Sequence, residues 1–233
     1  MLIKDLFNDK IILPEFKASA FELELLKLHP VLHDALLAAK PLYPNNPYHN
    51  FEHALLVTQY IFKNYKSYRI YETELPFALI AAIFHDAMHS GTYKLPNSDK
   101  FNVQAAKYYC MKFLKTNKFT RYNKAALTIA ARTIECTEYS NNTFPIYPLF
   151  NYQKIIRDAD ILSAIEFKNI FKLLDGLRIE CNSADDAIDF CTLNLKFLAR
   201  TEIYNHEANE KKKAYINRML GELHYMIEDT SNT

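Results

Sequence analysis

Leu75-Pro76-Phe77-Ala78-Leu79-Ile80-Ala81-Ala82-Ile83-Phe84-His85-Asp86-Ala87-Met88-His89-Ser90-Gly91 is the stretch that decides the fold. Its first ten residues are apolar without a break. That is too short to cross a bilayer. A helix that is apolar on every side is buried on every side. The pattern therefore predicts a central helix over about 74–88, capped by Thr73 and ended at or just before Gly91. The same element closes on His85, Asp86 and His89. A buried His-Asp pair costs desolvation free energy unless another charge compensates, and a divalent cation would do so.

Helical periodicity continues outward in both directions. Apolar residues recur at three- and four-residue steps over 18–39, a stretch that Pro30 must break or kink. Pro41, Pro44 and Pro47 make a stiff connector, and Asn50 is a good N-cap for a helix over 51–64. Further helices are expected over 98–115, 123–137, 152–167 and 168–179, with a Pro-containing loop over 142–151. Ser183 with Asp186 reads as a capping box for a helix to about residue 206, and a last helix covers 210–228. No strand is demanded. The expectation is an all-α, compact, single domain over 1–233, a multi-helix bundle around a buried metal site. Its motif-bearing core spans about 45–165 and its C-terminal helices about 166–230.

Composition narrows the chemistry. The chain has three glycines, Gly91, Gly176 and Gly221. A P-loop needs two within six residues and a dinucleotide fingerprint three, so neither phosphate cradle exists. Lys plus Arg is 28 against 27 for Asp plus Glu, which leaves no basic footprint for nucleic acid. The run Lys211-Lys212-Lys213 reads as a solvated helix start. The N-terminus has charges where a signal peptide has an apolar region, and the four cysteines form no CxxC. A cytoplasmic protein without a membrane span is expected.

Six of the eight histidines fall in i,i+4 pairs: His29/His33, His49/His53 and His85/His89. On a helix this spacing puts two imidazoles on one face. Arg157-Asp158-Ala159-Asp160-Ile161-Leu162-Ser163 sets two acids in an apolar stretch. Two residues apart on a helix, only one of them can face a shared centre. His29, His33 and Asp34 read as surface or connector residues.

Tyr48-His49-Asn50-x-x-His53-Ala54, then His85-Asp86-x-x-His89-x-Gly91, then an Ala-Asp acid, resembles the HD-domain superfamily of metal-dependent phosphohydrolases. The two histidine segments are similar to those of class I cyclic-nucleotide phosphodiesterases. The resemblance implies His53, His85, Asp86 and Asp160 as ligands of one or two divalent metals (Mg, Mn, Fe or Zn), with Asp86 bridging to a second ion held mostly by water. It implies His49 as general acid and His89 beside a metal-bound hydroxide. Tyr48 and Asn50 would shape the substrate pocket rim and orient His49. Asp158 would stand behind the ligands, as in a bacterial variant of the motif.

Metals lower the pKa of bound water and neutralise developing charge on phosphate oxygens, and an alkoxide leaving group then needs a proton. The expected function is hydrolysis of a small phosphodiester, cyclic-nucleotide-like or another phosphoester. The alternatives are a nucleotidase or phosphomonoesterase of the same superfamily and a non-catalytic metal-binding helical module. A zinc peptidase is disfavoured, because HDxxH lacks both the third ligand and the correctly placed Glu. Two family features are missing. No adjacent histidines occur, and the only glutamines, Gln59, Gln104 and Gln153, leave none in the C-terminal third to clamp a purine.

Overall fold

The computed structural model describes residues 3–7, 16–91, 98–121, 123–140, 143–166, 169–177 and 183–231. Among them are ten α-helices and no β-strand, as the periodicity predicts. They group into two compact units, Phe16–Ser163 and Met1–Glu15 with Ala164–Thr233.

In the first unit the helices are α1 (Ala18–Leu28), α2 (Pro30–Ala39), α3 (Phe51–Asn64), α4 (Leu75–Phe84), α5 (Ser98–Thr116), α6 (Lys124–Glu135) and α7 (Asn151–Ser163). Helix α4 is the axis, packed by α2, α3, α5, α6 and α7. Leu75 and every residue from Ala78 to Phe84 are buried. Full burial of Leu79, Ile80, Ile83 and Phe84 contributes roughly 1.5–3 kcal/mol per side chain. Pro30 starts α2 instead of kinking a longer helix. Its missing N–H is harmless in a first turn, and His29 caps that turn by accepting from Val31 N at 3.1 Å.

Helix α4 differs from expectation at both ends, α7 stops at Ser163 instead of 167, and the helix that starts at Ala184 stops at Arg200 instead of about 206. Helix α4 starts at Leu75 with Glu74 as N-cap and no side-chain cap, so Thr73 does not serve. It stops at Phe84, four residues before Met88, because the connector before α3 captures its end. Met88 N donates to Leu42 O at 2.9 Å, and Met88 takes a left-handed φ of 65°.

The second unit contains α8 (Asn169–Leu177), α9 (Ala184–Arg200) and α10 (His206–Ser231). Ser183 and Asp186 form the expected capping box. The buried Lys212 ammonium donates to Leu198 O at 2.8 Å and to Thr201 O, serving the carbonyl end of α9. It is therefore not part of a solvated run. Lys211 and Lys213 pair with Glu207 and Glu210 at the surface. The expected ends at 167, 168 and 179, the Ser98 side chain and Cys181 lie outside the described residues. No described helix is long and apolar enough to cross a membrane.

Candidate metal centre

Two of the histidine pairs straddle a helix start and the third lies wholly past a helix end, so none shares a helix face. His29 caps α2, His49 precedes α3, and His85 and His89 follow α4. His33 is exposed, and half-buried Asp34 accepts from Asn117 Nδ2 at 2.8 Å, away from the cluster.

The start of α3 sets one side of the site. Asn50 Oδ1 accepts from His53 N at 3.0 Å, and Asn50 Nδ2 donates to Asn46 O at 3.1 Å and Pro47 O at 3.3 Å. The amide expected at the substrate rim is thus committed to backbone. It shapes the entry to α3 and fixes the register that places His49 and His53. Tyr48 is buried, with its ring centroid 4.3 Å from that of His53 and 4.8 Å from that of His49.

The connector sets the other side. Tyr43 Oη donates to Ile83 O at 2.8 Å and accepts from Asp86 N at 3.4 Å. Asn46 Nδ2 donates to His89 O at 3.1 Å. Gly91 has φ +71°, and a Cβ there would lie 2.7 Å from Asn46 Oδ1. Glycine is therefore required twice over, by backbone conformation and by space.

Four side chains from three elements converge between these walls. His53 Nε2 lies 3.1 Å from Asp160 Oδ1 and 3.3 Å from Asp86 Oδ2. His85 Nε2 lies 3.3 Å from Asp86 Oδ2, 3.7 Å from Asp160 Oδ1 and 3.3 Å from His53 Nε2. His85 Nδ1 is 2.8 Å from Ala82 O, and a carbonyl only accepts. The His85 Nδ1 therefore carries a proton, and in the neutral ring Nε2 presents a lone pair. Asp86 Oδ2 is buried and receives no well-directed hydrogen bond; the two ring nitrogens meet it only in ion-pair contact.

Such a ring of acceptors needs positive charge. Donors held about 2.0–2.2 Å from one ion lie roughly 3–3.5 Å from one another, close to the spacing observed. His53, His85 and Asp86 hold their ligand atoms within 4.8 Å of one another. Without an ion the same demand falls on protons. Burial alone would lower the His85 pKa, but Asp86 and Asp160 overcome it and hold it well above the ordinary value. His53 is raised in the same way, against burial, by Asp160 and Asp86. Burial would raise Asp86 and Asp160, yet the imidazoles hold both below the usual carboxylate range.

His49, Asp86 and His89 also bring their ligand atoms within 4.8 Å of one another. Their orientation does not suit an ion. The His49 and His89 rings stack with centroids 3.8 Å apart and planes 4° from parallel, so no ion can lie in both ring planes. His89 Nδ1 faces Gly91 N at 3.0 Å, and its Nε2 faces Asn102 Nδ2 at 3.0 Å. His89 is a wall under His49. Burial pushes His49 down to about 3 and lowers His89 as well, so both rings are neutral at pH 7.

Asp158 and Asp160 separate as their spacing predicts, about 200° apart around α7. Asp160 joins the cluster, while Asp158 is fully buried and accepts from Tyr68 Oη.

Several residues at the site carry no signal in the linear motifs. Tyr43 and Asn46 act from a proline connector. Asp99 and Asn102 lie one turn apart on α5, a spacing that would have exposed a shared face. Asp99 Oδ1 is 3.9 Å from His89 Nε2, its other oxygen accepts from Tyr139 N at 2.5 Å, and burial pushes its pKa up to about 7. Lys107 pairs with Glu135 at 2.5 Å.

Residues 48–116 match the family model described as 3'5'-cyclic nucleotide phosphodiesterase. The matched segment carries His49, His53, His85, Asp86 and His89, and the resemblance in the two histidine motifs therefore holds. No curated protein matches the chain.

Proposed function

We propose that this protein is a metal-dependent phosphohydrolase that cleaves a small phosphodiester, cyclic-nucleotide-like in its phosphate chemistry. The observation that supports this most strongly is the buried convergence of acceptors at His53, His85, Asp86 and Asp160, with Asp86 Oδ2 lacking a directed donor. The family match over 48–116 supports the same class of reaction.

His53, His85, Asp86 and Asp160 would hold one divalent ion of Mg, Mn, Fe or Zn, with Asp86 shared toward a second. Bound there, divalent ions supply water activation and charge neutralisation on phosphate oxygens. The remaining work belongs to the chain's own residues. Burial keeps the His49 ring neutral in the free protein. An anionic phosphoester beside it adds negative charge, which favours a proton on the ring. That proton is then in place for the leaving alkoxide. His89, stacked beneath, fixes the plane of the His49 ring, and Tyr48 packs edge-on against it. Asp158 supports α7 from its far side through Tyr68.

A phosphomonoesterase or nucleotidase is the second reading, favoured by the absence of glutamine from the C-terminal third. Purified protein assayed with Mg, Mn, Fe and Zn on bis-aryl and mono-aryl phosphates separates the two. Faster diester cleavage supports the proposal, and faster monoester cleavage favours the second reading. Stoichiometric metal with no turnover on either would replace both with a non-catalytic metal-binding module.

A further inference from the structure

Ser163 closes α7 three residues after Asp160, is buried, and stands between the two ligand-bearing helices. Two of the contacts of its hydroxyl bear on each other. Ser163 Oγ lies 2.8 Å from Asp160 O, one of the last four carbonyls of α7, which need a donor from outside the helix ladder. A carbonyl only accepts, so the single hydroxyl proton goes there. Ser163 Oγ also lies 3.3 Å from His53 Nδ1. With its proton spent, the oxygen can only accept from that nitrogen. His53 Nδ1 then carries a ring proton, so when an ion displaces the proton that Nε2 gives to Asp160 Oδ1 at 3.1 Å, it is Nε2 that is left bare.

We propose that Ser163 is a positioning residue that fixes the metal-binding tautomer of His53 and ties that ring to the helix bearing Asp160. The inference rests on the metal reading above and extends it to a residue that does not itself bind metal. His85 obtains the same polarity from the Ala82 carbonyl of its own helix. His53, at the start of α3, has no such carbonyl at Nδ1, and α7 supplies the acceptor from across the site. Partners of this kind, on the far nitrogen of a ligating histidine, typically contribute 10–100-fold in metal affinity.

Zinc alone is the probe, titrated into the metal-stripped full chain against a competing chromophoric chelator. Ser163→Ala should weaken zinc by about 10–100-fold while leaving the stoichiometry at saturation intact. Ser163→Thr, which keeps the hydroxyl, should bind within about threefold of the parent. Equal affinity of Ser163→Ala and the parent would overturn the proposal. Ring nitrogen-15 NMR of the zinc-loaded parent supplies a readout that needs no variant. A His53 signal with the proton on Nδ1 supports the assignment, and one with the proton on Nε2 overturns it. A parent that bound no zinc would sink the metal reading, whereas zinc bound equally by the parent and Ser163→Ala would sink the Ser163 proposal alone.

Discussion

At the proposed metal centre, metal and protons would compete for one set of atoms, and the competition has a calculable size. Without an ion, Asp86 and Asp160 raise the pKa values of His53 and His85. Both rings are essentially inaccessible to water, so solvent screening does not weaken the effect. The two carboxylates are held low and stay ionised throughout the neutral range. Each imidazole that must lose a proton to bind metal makes the apparent affinity rise tenfold per pH unit, about 1.4 kcal/mol. Two imidazoles give about 100-fold, or roughly 2.7 kcal/mol, per unit, between the ordinary histidine value near 6.5 and the raised ones. Zinc competition titrations one pH unit apart within that window test the slope. Calorimetry in buffers of different ionisation enthalpy counts the protons released, with about two expected. The sign also governs stability. A raised histidine pKa stabilises the metal-free fold below about 6.5 and loses that contribution as pH rises through the folded value. The depressed carboxylates contribute above about 3.9 and lose their contribution as pH falls through their folded values. The gain in melting temperature on adding zinc should therefore grow toward alkaline pH. An affinity independent of pH, with no proton released, would mean that metal does not displace protons from His53 and His85.

Three further outcomes follow from particular side chains. His49→Ala should retain metal by elemental analysis and lose roughly 10²–10⁴-fold in kcat for an alkyl leaving group, with a smaller loss for nitrophenolate; equal losses on both esters would remove His49 as the acid. Gly91→Ala combines a left-handed φ with the Asn46 contact and should destabilise the fold by about 1–3 kcal/mol in denaturant titration. An unchanged midpoint would mean that the turn does not need glycine. Asn50→Ala removes the α3 cap and should cost about 0.5–2 kcal/mol, and weakened zinc binding should accompany it because His53 sits in the capped turn.

The helices were legible in sequence because their signals are local. Periodicity, Pro30, Asn50 and the Ser183 capping box act within a few residues of the structure they specify. The end of α4 was not local. Nothing in Phe84-His85-Asp86-Ala87-Met88 stops a helix; Leu42, Tyr43 and Asn46 do, from some forty residues earlier. Thr73 looked like a cap and is not one, because a local turn from Tyr71 to Glu74 leads into α4. The histidine and aspartate candidates were visible because their types and order are distinctive. Their supports were hidden because Asn102, Asp99 and Tyr43 are common residues whose contacts exist only after packing. The separation of Asp158 from Asp160 was readable from helix geometry alone. The partner Tyr68 was not, since it arrives from the turn after α3.

The proposed site would hold one divalent ion among four named atoms. Anomalous diffraction from a zinc- or manganese-soaked crystal, recorded on both sides of the metal edge, locates that ion. An anomalous peak is expected about 2.0–2.2 Å from His53 Nε2, His85 Nε2, Asp86 Oδ2 and Asp160 Oδ1. A peak coordinated instead by His49 and His89, or no peak at the cluster at saturating metal, would contradict it.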